Sequence, residues 1–169
     1  MLTVGIDFDN TIVSYDAVFH KAALEEGLIP GQLPVTKENV RDYLRQSGLE
    51  QEWTRLQGCV YGKKMLEAKP FPGVLDFFKM SKQLVIDIRI ISHRTLRPFL
   101  GPEYDLHQAA KEWIEYNRFY EQTGLSHNNV FFELTAEEKI ERIKLEKCEV
   151  FIDDLPEFIL RPEFPLNVK

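Results

Sequence analysis

Cysteine is nearly absent: two residues, Cys59 and Cys148, in a chain of 169. They are far apart and in no metal-ligand spacing, which excludes a disulfide scaffold and a thiolate metal centre and fits a reducing cytosol. Long apolar runs are missing too, so no segment reads as a membrane span. No basic stretch followed by an apolar core marks the N-terminus as a signal peptide. Positive charge is in deficit: 21 Lys and Arg against 27 Asp and Glu leave a net charge of -6. That argues against a nucleic-acid surface, while leaving room for one locally positive site. The four histidines, His20, His93, His107 and His127, have no zinc-like spacing. Neither repeats nor low-complexity segments are found. The expectation is a cytoplasmic protein without nucleic-acid or membrane partners, its oligomeric state unreadable.

What is present begins at the first residues. "LTVGIDF" at 2–8 alternates apolar Leu2, Val4, Ile6 and Phe8 with Thr3, Gly5 and Asp7, the pattern of a strand. Gly5 indicates a close approach to the backbone. The strand runs into two carboxylates, Asp7 and Asp9, and like charges at the end of a buried strand are costly. Residues 15–68 then read as a block of helices: 15–26 ended by Gly27, a helix capped by Thr36 and running to Gln46, and a third with Leu49, Trp53, Leu56 and Val60 on one face. "KPFPG" at 69–73 breaks the chain. Beyond it come a helix, the strand "DIRIIS" ending at Ser92, and a long helix expected to start at Pro102 and end at Gly124. The strand "NVFFEL" follows, then the helix "TAEEKIERIKLEK" with a Thr135/Glu138 capping box, and the strand "CEVFIDD". The tail from Leu155 carries three prolines and is expected to be irregular, a short edge strand being the alternative.

Strands alternating with helices imply a parallel sheet in an α/β layer architecture, and ligands in such sheets bind outside the carboxyl ends of the strands. Asp7/Asp9, Ser92 and Asp153/Asp154 all stand at such ends. If the strands are neighbours, three or four carboxylates converge, which needs a cation between them; oxygen ligands point to Mg²⁺. Read singly, each acid is as well explained as a helix or turn cap.

Three motifs resemble those of the haloacid dehalogenase-like (HAD) hydrolases. "DFDNT" at 7–11 is similar to their DxDxT signature, Ser92 after "IRII" to their second motif, and "FIDD" at 151–154 to their acidic pair. Ile152 stands before that pair where many relatives have Gly. The resemblance spans nearly the whole chain. It implies a Rossmann-like parallel sheet with helices on both faces (1–13 and 70–169) and a small helical cap inserted after the first strand (14–69). It further implies a phosphatase that hydrolyses a small phosphorylated metabolite through an aspartyl-phosphate. Asp7 would be the nucleophile and Asp9 the proton carrier. Ser92 would hold a phosphoryl oxygen. Asp7, Asp153, Asp154 and the Asp9 carbonyl would surround Mg²⁺, Asp154 through water. A lysine should neutralise the nucleophile; of Lys139, Lys144 and Lys147 the choice is Lys139, with Lys144 as fallback, although each alone reads as a solvated lysine. Backbone N–H groups in the turn holding Asn10 and Thr11 would cradle the phosphoryl group. His93 and Arg94 would stand beside the substrate, or be plain loop residues. Asp9 favours phosphate esters over carbon–halogen bonds, because an alkoxide leaving group needs a proton and a halide does not. A phosphotransferase, or a binding domain that keeps the fold without turnover, are the other readings. Lys63 and Lys64, late in the helical block, read more simply as a solvated basic pair than as substrate contacts.

Overall fold

The four strand segments pair in one sheet, and all four are parallel. In the computed structural model, which describes residues 1–169, β1 (Thr3–Ile6), β4 (Asp87–His93), β5 (Val130–Glu133) and β6 (Val150–Ile152) run in the order β5-β4-β1-β6. Two further short strands, β2 (Val13–Ser14) and β3 (Lys69–Pro70), form a two-stranded sheet of their own. β1 is central, with Ile6 opposite Ile90 on one side and Ile152 on the other. The end of β1 therefore lies between the ends of β4 and β6. The fold is α/β, a parallel sheet flanked by helices. Close approach explains Gly5: a Cβ there would stand 2.5 Å from Cδ2 of Phe151 and 3.0 Å from Sγ of Cys148.

The chain divides into two units. The first, residues 1–13, 70–95 and 114–169, holds the four-stranded sheet. Its helices are α4 (Val74–Gln83), α6 (Phe119–Thr123), α7 (Ala136–Leu145) and α8 (Pro156–Ile159). Ile140 and Ile143 of α7 pack on Ile91 and Phe151 of the sheet, joined by Cys148, Phe158 and Phe164. Burying aliphatic and aromatic side chains of this size stabilises by about 1.5–3 kcal/mol each before entropy is counted. The tail is irregular apart from α8, and it lies along β6: the Phe151 N–H donates to Lys169 O and the Lys169 N–H to Glu149 O.

The second unit is residues 14–69 with 96–113. It holds α1 (Asp16–Glu25), α2 (Lys37–Gln46), α3 (Glu50–Tyr61) and α5 (Leu106–Tyr116) up to Trp113. Thr36 caps α2 as its sequence predicts, accepting from Asn39 N. Phe19 packs on Trp53, and Lys37 sits over the rings of Tyr15, Phe19 and Tyr61. Lys64 is paired with Glu25 and Glu67.

Two expectations need correction. Residues 96–113 group with the helical unit, not with the sheet. Trp113 Nε1 donates to Ala68 O at 2.9 Å, and Gly58 and Gly62 leave room for Pro98 and Tyr104, so these residues share one core. The helix after Ser92 starts at Leu106 rather than Pro102, because Asp105 Oδ1 accepts from Gln108 N at 2.8 Å and caps it there. It also does not run unbroken to Gly124. Arg118 takes a left-handed conformation, φ 60°, and the chain restarts as α6, placing Phe119 edge-on to Phe78.

Candidate active site

Asp7 leaves β1 at the carboxyl edge of the sheet, and its N–H donates to Ile152 O, extending the pairing with β6. The residue is only 5% exposed. Ser92 Oγ, from β4, donates to Asp7 Oδ1 at 2.8 Å. Lys139 Nζ, from α7, donates to the same Asp7 oxygen at 2.6 Å and to Asp153 Oδ2, beyond β6, at 2.6 Å. Of the three lysines, only Lys139 meets these acids; Lys144 pairs with Glu141 on the surface.

The position of Lys139 follows from the start of α7. Thr135 Oγ1 accepts from Glu138 N, and the Glu138 carboxylate accepts from Thr135 N, a complete capping box. Lys139 comes next in the chain. The residue is 2% exposed, and its ammonium lies over the ring of Phe158, 4.2 Å from the centroid. Phe158 escaped the sequence reading because the proline-bearing tail offered no period to place it.

Asp7, Asp153 and Asp154 offer carboxylate oxygens that lie within 4.8 Å of one another. Burial pushes the Asp7 carboxyl up to about 7 from its usual 3.8; Lys139 opposes this, and Asp153 and Asp9 add to it. The donor set is all carboxylate oxygen, the ligand chemistry that suits Mg²⁺. Asp9 has no carboxylate in this group.

Asp7, Asp9, Asn10, Ser92, His93, Lys139, Asp154, Leu155 and Phe158 line a cavity of about 140 Å³. That volume equals four or five waters at about 30 Å³ each, enough for a phosphoryl group. His93 stands partly exposed at its rim. Burial, then the charge of Lys139, holds its pKa below the usual histidine range against the pull of Asp9 and Asp153.

The rest of the expected anion cradle is placed differently. Asn10 lines the cavity, but its N–H donates to Val13 O at 3.0 Å, and the Ile12 and Val13 N–H groups go to Phe8 O. This tight turn, with Asn10 at φ 60°, uses these three N–H groups internally. Thr11 faces elsewhere: it lines a separate apolar cavity with Ile6, Ile12, Pro72 and Phe77, and its buried Oγ1 has no hydrogen-bond partner. Arg94, expected beside a substrate, is 5% exposed and its Nη1 donates to Asp9 Oδ1 at 2.6 Å. Nothing local in the sequence signals this pair, whose members are 85 residues apart.

No family model and no curated protein matches the chain. Among solved structures it is similar to the crystal structure of a HAD-superfamily hydrolase from Ehrlichia chaffeensis, at 13% sequence identity and a TM-score of 0.49, over 93% of this chain and 80% of that one.

Proposed function

We propose that the protein is a Mg²⁺-dependent phosphatase of the HAD type, acting on a small phosphorylated metabolite. The observation that carries this reading is the Asp7–Lys139–Asp153 bridge with Ser92 on Asp7, at the edge of a cavity of phosphoryl size. A carboxylate held by an ammonium and a hydroxyl, beside two more acids, is costly as a structural element alone. As machinery each part has a task. Asp7 attacks phosphorus, forming a bond from its carboxylate oxygen as the bond to the leaving oxygen breaks. Asp9 gives that oxygen a proton, then takes one from the water that releases phosphate and regenerates Asp7. Lys139 and Ser92 offset negative charge on the phosphoryl oxygens. Mg²⁺, held by Asp7, Asp153 and Asp154, would supply further charge neutralisation between nucleophile and phosphate.

The test is hydrolysis of an aryl phosphate and of a panel of metabolite phosphates, with Mg²⁺ and with EDTA. Turnover that needs Mg²⁺ and vanishes in Asp7→Asn is the expected result. Unchanged turnover in Asp7→Asn removes Asp7 as nucleophile. A folded protein that hydrolyses nothing in the panel overturns the assignment.

A further inference from the structure

Arg94 is a buried cation that does not line the cavity, although the two residues before it, Ser92 and His93, do. Its side chain is 4% exposed, against 24% for that of Asp9. The guanidinium lies behind the carboxylate, with its Nη1 on Asp9 Oδ1. Its surroundings hold it there. The Arg94 N–H donates to Glu133 O at 2.7 Å, tying the end of β4 to the end of β5. The guanidinium carbon stands 5.9 Å from the centre of the Phe8 ring. Phe8 in turn meets Phe132 edge-on at 5.3 Å. The backbone under Asp9 is a tight turn with Asn10 in the left-handed region. A carboxylate on such a turn has two side-chain torsions to order, and a charge-assisted hydrogen bond from a buried group orders both.

We propose that Arg94 is a positioning residue for Asp9. It holds the Asp9 carboxyl group in one orientation, in which the protonated acid gives its proton to the departing alkoxide and is left as the carboxylate that Arg94 pairs, and so extends the reaction to esters whose alcohols leave poorly. The inference rests on the reading of the site as a phosphatase. It differs from a substrate contact, since Arg94 acts only through Asp9. It differs from a purely architectural ion pair, since its loss should be felt in one chemical step.

Leaving-group dependence separates these roles. A nitrophenolate departs without a proton and an alkoxide does not, and kcat/KM reports the steps through the first P–O cleavage. Wild type, Arg94→Gln, Asp9→Asn and the double variant are compared with Mg²⁺ on p-nitrophenyl phosphate and on a simple alkyl phosphate. General acid catalysis contributes about 10²–10⁴-fold. Misorientation in Arg94→Gln should therefore lower kcat/KM for the alkyl ester by about 10–100-fold and for the aryl ester by less than about 3-fold. Asp9→Asn should show the same selectivity, more strongly, and the double variant should be no worse than Asp9→Asn. An equal loss on both esters, or losses that multiply in the double variant, overturns the proposal while the phosphatase reading stands. Inactivity of the wild type on both esters overturns the phosphatase reading and this inference with it. If Arg94→Gln is not recovered folded, Arg94→Lys serves, and equal losses on the two esters count against the proposal in the same way.

Discussion

Replacing Lys139 by methionine keeps a long chain over Phe158 and removes the charge that joins two buried carboxylates. The ammonium donates at 2.6 Å to both Asp7 and Asp153, whose side chains are 7% and 1% exposed. Removing one member of a buried ion pair costs about 3–5 kcal/mol, because the remaining charge is left uncompensated. Acid softens the loss: below its folded pKa near 7 Asp7 already carries a proton, so less charge is stranded by the substitution at about pH 5.5 than at about pH 7.5. For a chain of this length 1 kcal/mol shifts Tm by about 2–4 °C, so the loss is about 6–20 °C at neutral pH and smaller at the lower pH. The assay is thermal unfolding followed by circular dichroism at both pH values, in EDTA so that no cation replaces the ammonium. Adding Asp7→Asn to Lys139→Met should restore part of the loss, since it removes one of the stranded charges. A Lys139→Met protein that melts with the wild type at both pH values would refute the reasoning.

Asp7 itself makes stability depend on pH. Its folded pKa, near 7, lies above its ordinary 3.8, so between these values the folded state keeps a proton that the unfolded state has released. Without divalent cations, Tm should therefore fall as pH rises through that window and level off above it. Excess MgCl₂ should raise Tm most on the alkaline side, and in Asp7→Asn the Asp7-linked part of the slope should disappear. Gly5→Ala places a Cβ 2.5 Å from the Phe151 ring, inside the packed core. It should destabilise by about 1–3 kcal/mol, read as a lower urea midpoint with an unchanged slope. Thr135→Ala removes the acceptor for Glu138 N and should cost about 1 kcal/mol. Aryl phosphatase activity should drop along with Tm, since Lys139 adjoins the lost cap.

The sheet was legible because its strands carry strong local signals. "TVGI", "DIRIIS", "VFFE" and "VFI" are rich in β-branched and aromatic residues, bounded by turns, and alternate with helices. The acids and Ser92 followed from the rule that parallel strands present their carboxyl ends together. Lys139 was legible only as one of three lysines, since periodicity says which helix turn a residue occupies and not which neighbour its ammonium meets. Residues 96–113 were misplaced because chain order is a poor guide to packing: the contacts of Trp113 with Ala68 and of Gly62 with Tyr104 have no local signature. The pairing of Arg94 with Asp9 escaped the sequence for a related reason. An arginine beside a phosphate site is ordinarily taken for an anion contact, and only the register of β4 and β5 turns it behind Asp9.

The central place of β1 in the sheet has a consequence for how the protein acquires its chemistry. Asp7 is synthesised before its partners Lys139 and Asp153, which follow 132 residues later and beyond. A nascent chain with β1 already paired to β4 has Asp7 and Ser92, but no ammonium to steady them and no second acid beside them. Contacts of such long sequence separation are among the slowest to form. The proposed hydrolytic competence should thus appear in one late event, the docking of α7 and β6 onto a preformed edge. Partly made or partly folded chains would be catalytically silent.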